Sequence, residues 1–156
     1  MSGNTIQLFR IIKASPALVY RAFLEPAALC KWLPPHGYTC TVEHVNAVVG
    51  GTFKMSFCNF ASGASHSFGG KYLELIPAQF IQYTDVFDDP SLPGVITATI
   101  RLKKVAGGTE LFIEQAGIPE QIPVEMCHLG WQDSLLLLQQ LLEVPNSAED
   151  GLEEPA

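Results

Sequence analysis

The sequence predicts an α+β protein in which one antiparallel sheet carries a long C-terminal helix. Strand-like segments follow one another between residues 39 and 115, joined by short connections rich in Gly and Pro. Such connections favour antiparallel pairing, because parallel strands need long crossovers. The stretch 122–143 has apolar residues at three- and four-residue steps, which is the helical period. Its apolar surface is wider than one contact stripe, which predicts that the sheet curls around the helix.

Composition bounds the class of protein. The chain has 156 residues with 47% hydrophobic and 16% charged residues, which is typical of a globular protein with a large core. We predict one domain over residues 1–143 and a disordered acidic tail over 144–156. The tail holds four of the carboxylates, so the formal charge of −7 becomes −3 for the rest. A mildly acidic body with nine Lys and Arg residues disfavours nucleic-acid binding.

Three further features predict a cytoplasmic protein. The N-terminus has no basic and then apolar signal, and no apolar run approaches the 18 residues of a membrane span. The four cysteines have no CxxC spacing, so reduced thiols are expected rather than disulfides.

The first third of the chain predicts a strand and two short helices. Residues 5–13 are rich in β-branched and aromatic residues, which favours a strand. Ser15 can cap a helix that Pro16 opens, and this helix is predicted over 16–24. Pro26 restarts a second helix over 27–33, which Pro34 and Pro35 end.

Six further strands are bounded by turn residues. They are predicted over 39–46, 52–59, 67–75, 79–87, 95–104 and 109–115. The last two form a hairpin across residues 105–108. The Gly pairs at 50–51, 69–70 and 107–108 indicate turns or bulges rather than a nucleotide-binding loop.

The terminal helix has two apolar faces and a polar one. Leu135, Leu138 and Leu142 continue one face from Trp131. The second face carries Met126, Gly130, Ser134, Leu137 and Leu141, and the residues expected in solvent are Gln132, Asp133, Gln139, Gln140 and Glu143. Gly130 costs about 1 kcal/mol relative to Ala in a helix interior. Such a residue indicates either close packing or space left empty.

Several segments together resemble a known superfamily. They are ASPALVYRAFLEPAALCKWLPP, GGTF, GGKYLELIP, QYTD, GGTELFIEQAGIP and GWQDSLLLLQQLLE, in this order. They resemble the SRPBCC, or START-like, superfamily, in the branch named after the activator of the heat-shock-protein ATPase, which is similar to polyketide cyclases. The resemblance implies the helix-grip fold, a curved antiparallel sheet of about six to seven strands around the C-terminal helix, with two short helices closing one end. It also implies an apolar cavity for a lipid, polyketide or aromatic metabolite.

The expected ligand site follows from this resemblance and from strand alternation. Where relatives have Tyr-Thr-Trp, this chain has Tyr83-Thr84-Asp85, so a carboxylate is expected on the face toward the helix. Asp85 is either a polar anchor in the cavity or a solvated residue at the strand end, and His66 either faces the cavity or lies in a loop. The residues expected to line the cavity are Phe53, Met55, Phe57, His66, Phe68, Tyr72, Tyr83, Asp85, Met126, Gly130 and Ser134.

No catalytic, metal or cofactor site is predicted. Ser65 or Ser67 with His66 and Asp85 could form a nucleophilic or acid–base site, but no GxSxG motif supports it. His36, Cys40 and His44 have a spacing that metal sites seldom use, although Cys40 and His44 would share a strand face. Two other functions stay open: a cyclase or hydrolase that uses the polar cavity residues, and a chaperone-ATPase cofactor that acts by protein contact. The sequence leaves both monomer and homodimer open.

Overall fold

The computed structural model describes residues 4–143, and its elements follow the predicted order. The strands are β1 (Thr5–Ile12), β2 (Tyr38–Val45), β3 (Thr52–Asn59), β4 (Ser65–Ile76), β5 (Phe80–Phe87), β6 (Ile96–Val105) and β7 (Gly108–Ala116). The helices are α1 (Pro16–Leu24), α2 (Pro26–Trp32) and α3 (Val124–Leu142). The predicted acidic tail lies outside the described residues, so the division of the chain at residue 143 stays a prediction.

Proline and serine set the helix boundaries. Pro16 opens α1, and the Ser15 hydroxyl oxygen accepts a hydrogen bond from the Leu18 amide at 3.2 Å. Pro26 lies in the first turn of α2, and Pro123 immediately precedes α3. Proline suits these positions because the first amides of a helix have no partner within the helix. The predicted boundaries of α1 are confirmed, and those of α2 are shifted by one residue.

The seven strands form one antiparallel sheet in the order β1-β7-β6-β5-β4-β3-β2. From β2 to β7, each strand pairs with its neighbour in sequence, as the short connections predicted. The first strand pairs with the last, with Leu8 opposite Ile113. The sheet curves around α3 and has the helix-grip architecture.

The concave face of the sheet forms the core with α3. Its buried side chains alternate along the strands and meet Trp131, Leu135 and Leu138 of the helix. Those of β1, β5, β6 and β7 are Ile6, Leu8, Ile12, Ile81, Ile96, Ala98, Ile100, Leu102, Leu111 and Ile113. The two short helices close one end through Trp32, which is fully buried. Its indole N–H donates to the Ala22 carbonyl at 2.9 Å, and its ring lies 4.8 Å from that of Phe23.

Hydrogen bonds fix α3 to β1 and α2. Arg10 Nη1 donates to Gln139 Oε1 at 2.9 Å, and the Lys13 amide donates to Glu143 Oε2 at 2.8 Å. On the other flank, Ser134 Oγ donates to the Leu33 carbonyl at 2.6 Å. The expectation that Gln139 faces solvent was wrong, because Arg10 points inward from β1 and donates to it. Glu143 stays partly exposed while it accepts from the Lys13 amide.

Two local expectations about β-strands were also wrong. Gly69 and Gly70 lie within β4 and not in a turn or at its bulge, which falls between Tyr72 and Glu74. In β2, the register shifts between Val42 and His44. This bulge places Cys40 and His44 on opposite faces, since the added residue inverts the alternation.

Candidate functional site

The contact between α3 and β1 shows which way the second apolar flank of the helix turns. Gln139 contacts Arg10 on β1, so this flank of the helix faces the β1 edge. At about 100° per residue, Gly130 lies on the opposite side of the helix from Gln139. Leu137 and Leu141 lie beside Gly130 on that side and are partly buried. The second apolar flank of α3 is therefore turned away from the β1 edge, on the side where Ser134 donates to Leu33 at the end of α2.

Three aromatic rings form a deep cluster on the concave face of the sheet. The Phe53 ring lies 5.4 Å from both Tyr72 and Tyr83, and the two tyrosine rings are 6.3 Å apart. They come together because Phe53, Tyr72 and Tyr83 face the same way on β3, β4 and β5, with Tyr72 directly opposite Tyr83. Burial raises the pKa of Tyr72 to about 12. Burial and the nearby Asp85 raise the pKa of Tyr83 as well. Both hydroxyls are therefore protonated at neutral pH.

A second group, the rim cluster, lies at the end of the sheet where β4 begins and β5 ends. It consists of Tyr38, Phe57, His66, Phe68 and Phe87. The Phe57 and Phe68 rings are 4.8 Å apart, and the His66 ring lies 5.9 to 6.3 Å from the rings of the other four members. This is also the end of the sheet at which α3 begins, because β7 runs to Ala116 and α3 starts at Val124.

Asp85 lies between the two aromatic clusters. It is on β5 between Tyr83 and Phe87, opposite Ile96 on β6. Burial raises the pKa of its carboxyl to about 7, although the Val86 amide lowers it in part. Its Oδ1 atom is buried and has no hydrogen-bond partner within residues 4–143. Of the two alternatives for Asp85, the structure thus favours the buried carboxyl over a solvated residue at the strand end.

Gly70 shapes the strand beside Asp85. It lies at the level of Asp85, between the Gly69–Val86 and Tyr72–Tyr83 pairs of β4 and β5. A Cβ atom at Gly70 would overlap the carbonyl oxygen of Thr84. The Lys71 amide donates to Thr84 Oγ1 at 3.1 Å. The two backbones thus approach closely here, and glycine is the residue that fits.

The other residues expected to line the cavity differ in their surroundings. Met55 and Phe68 are buried on the same concave face, whereas His66 is exposed at the rim. Met126, in the first turn of α3, is 62% exposed and does not form a buried wall. Ser134 is buried and already donates to Leu33. Ligand contact by all eleven residues stays a prediction.

The structure decides between the two explanations for Gly130. A Cβ atom built there would meet nothing within 4 Å, so the glycine leaves space and does not serve close packing.

Two members of the rim cluster were not among the residues expected to line the cavity. Alternation puts Phe87 on the same strand face as Tyr83 and Asp85, toward the helix, but it was not counted in the lining. Tyr38 precedes the predicted start of its strand and follows a Pro-rich loop, and no sequence signal places it beside His66.

The polar residues of the site do not form a catalytic pair. No hydrogen bond joins His66 to Asp85 among the described residues, and the hydroxyl of Ser67 pairs with that of Ser56 at 2.9 Å. Burial lowers the pKa of His66, and Asp89 rather than Asp85 opposes this shift. Nowhere in residues 4–143 do three His, Cys, Asp or Glu side chains come close enough to hold a metal ion.

Comparison with known families and structures places this arrangement among related proteins. The model of the family described as "Activator of Hsp90 ATPase homolog 1-like protein" matches residues 13–143. No curated protein sequence matches the chain at a significant level.

Solved structures have the same fold. A protein from Chromobacterium violaceum is 55% identical over 90% of this chain and 98% of its own, with a TM-score of 0.90. A protein from Nitrosomonas europaea is 25% identical over 89% of this chain and 94% of its own, with a TM-score of 0.74. The AHSA1-like protein from Aeromonas hydrophila is 20% identical over 97% of both chains, with a TM-score of 0.74, and this likeness concerns the fold alone. Among residues 4–143, none of the helices has the length and apolar character that crossing a membrane requires.

Proposed function

The chain belongs to the family of Activator of Hsp90 ATPase homolog 1-like proteins, and on that premise we propose that it binds a small hydrophobic molecule between α3 and the concave face of β3 to β5. The two aromatic clusters supply an apolar wall, and Asp85 and Tyr83 supply the polar contacts that orient the ligand. This combination is typical of small-molecule sites, which are mostly apolar with a few converging polar groups.

The observation that carries the proposal is the environment of Tyr83 and Asp85. Protein atoms surround both side chains, which is why burial dominates the shift of each pKa. Yet both residues are only partly buried, so each keeps some surface accessible to water. We expect side chains in such an environment to border the space that the ligand occupies. On the helix side, a Cβ atom at Gly130 would meet nothing within 4 Å, so this position would leave room for a ligand.

The energetics favour selection by shape. Each ligand CH₂ that leaves water contributes about 0.8 kcal/mol, whereas one neutral hydrogen bond contributes about 0.5–1.5 kcal/mol. Affinity would come mainly from the fit of the apolar body against the rings, and the polar contacts would fix its orientation.

A matched pair of phenylalanine variants tests this proposal. Phe57 lies on the concave face in the rim cluster, whereas Phe9 lies on the convex face of β1 and is 60% exposed. We expect Phe57→Ala to weaken binding of the neutral dye N-phenyl-1-naphthylamine by about 5- to 30-fold, since roughly 1–2 kcal/mol of apolar contact is lost. Phe9→Ala should bind the dye like the wild type.

Fluorescence titration measures the affinities, and thermal melting shows that each variant is folded. Equal affinities of folded Phe57→Ala and Phe9→Ala, or no saturable dye binding by the wild type, would contradict the proposal.

The two alternative functions stay predictions. A cyclase or hydrolase would need His66, Asp85 or a tyrosine to come within hydrogen-bond reach of one another, and His66 and Asp85 have no such bond here. A chaperone-ATPase cofactor would act through a protein surface, and the family's description is the observation that supports it. A pull-down with the chaperone tests that alternative.

A further inference from the structure

We propose that the ligand of this site is an apolar amine with an aromatic body, whose ammonium group pairs with Oδ1 of Asp85. This inference rests on the proposed binding function and names the chemical class of the ligand.

The unpartnered oxygen is the first observation behind it. A buried polar atom without a hydrogen bond is rare in native proteins, and a buried carboxylate without a partner is costlier still. Oδ1 of Asp85 is such an atom, and within residues 4–143 the Val86 amide is the donor that lowers the pKa of this carboxyl. A ligand that presents an N–H group to Oδ1 would satisfy it.

The second observation is the lack of a protein cation at this carboxyl. Two basic side chains of the sheet are engaged elsewhere: Lys54 pairs with Asp88, and Arg10 donates to Gln139 on α3. His66 interacts electrostatically with Asp89. Within residues 4–143, no positive charge influences the ionisation of Asp85. The positive charge that a buried carboxylate needs would therefore come with the ligand.

The third observation is the aromatic surroundings. Asp85 lies between Tyr83 of the deep cluster and Phe87 of the rim cluster on one strand face. The faces of aromatic rings attract cations through their quadrupoles, and they also pack well against an aromatic body. A carboxylate flanked by rings is thus suited to an ammonium group on an aromatic molecule. A neutral hydroxyl would satisfy the oxygen without balancing its charge, and a carboxylate ligand would be repelled.

Four probes that share one aromatic body test the inference. They are 2-(1-naphthyl)ethylamine, 2-(1-naphthyl)ethanol, 1-propylnaphthalene and 3-(1-naphthyl)propanoate, titrated into the full chain at pH 8, where both the amine and Asp85 are charged. We expect the amine to bind at least 10-fold more tightly than the hydrocarbon and the carboxylate to bind most weakly. In Asp85→Asn, the preference for the amine should disappear while the hydrocarbon binds as before.

A matched control and a second readout keep the test specific. Glu43→Gln removes the same charge from an exposed position on β2 and should leave all four affinities unchanged. At pH 7, calorimetry in buffers of different ionisation enthalpy should detect release of about half a proton on amine binding, because the ammonium favours the ionised form of a carboxyl whose pKa is about 7.

The outcomes separate this inference from the proposed function. If the other naphthalene probes bind as expected but the amine does not bind, the amine assignment is overturned and the binding function stands. The same conclusion follows if the amine binds no more tightly than the hydrocarbon or the alcohol. If none of the four binds the wild type, both fail.

Discussion

Replacing Gly70 with alanine should destabilise the protein by about 3 kcal/mol or more, which corresponds to a fall in Tm on the order of 10 °C. The added Cβ atom overlaps the carbonyl oxygen of Thr84, so the β5 backbone has to move. Because Asp85 follows Thr84 on this strand, the same movement should displace the carboxyl from the site.

Gly130→Ala is the matched control for this change. Nothing lies within 4 Å of the added methyl group, and alanine favours the helix, so a gain of about 0.5–1 kcal/mol is expected. Thermal or urea unfolding of both variants measures the effect. Equal destabilisation by the two substitutions would show that the strands are not in close contact at Gly70.

Asp85→Asn should make the protein more stable at pH 8 and leave it nearly unchanged at pH 4. The pKa of Asp85 is about 7 in the folded chain and about 4 in the unfolded chain, so the native state binds its proton more tightly. The stability that this proton contributes is fully present below pH 4 and is lost as the pH rises through 7. Asparagine stays neutral at every pH. The free energy of unfolding of Asp85→Asn should therefore exceed that of the wild type by an amount that grows between pH 4 and pH 7, to a maximum on the order of 4 kcal/mol.

Urea unfolding of wild type and variant across this pH range measures the difference. Glu43→Gln again serves as the control, since its exposed carboxylate should change stability by less than about 0.5 kcal/mol at every pH. A difference between Asp85→Asn and wild type that does not vary with pH would mean that Asp85 ionises like a solvated carboxyl.

The sequence predicted most of the fold because its signals are local. Pro16 and Pro26 open helices, alternation marks the strands, and short connections dictate antiparallel neighbours. The pairing of β1 with β7 could not be read in this way, since it joins segments about 100 residues apart. The bulge beyond Val42 was also hidden, because it depends on the partner strand rather than on a distinctive residue.

The candidate site was predicted in part. Alternation placed Tyr83 and Asp85 on the concave face, and the departure from the family pattern drew attention to the carboxyl. The sequence could not show that Oδ1 of Asp85 lacks a hydrogen-bond partner, since that depends on every side chain around this atom. Helical spacing put Ser134 and Met126 on the same face of α3. It could not show that Ser134 bonds Leu33 while Met126 is largely exposed, because the position of α2 decides which part of that face is covered.

The central claim, a small apolar molecule held between α3 and the sheet, is tested most directly by native mass spectrometry of the purified full chain beside its denatured spectrum. We predict a defined adduct in the native spectrum that disappears on denaturation and is reduced in Phe57→Ala but not in Phe9→Ala. A native spectrum that shows the bare chain mass, from protein purified without detergent or organic solvent, would contradict the claim.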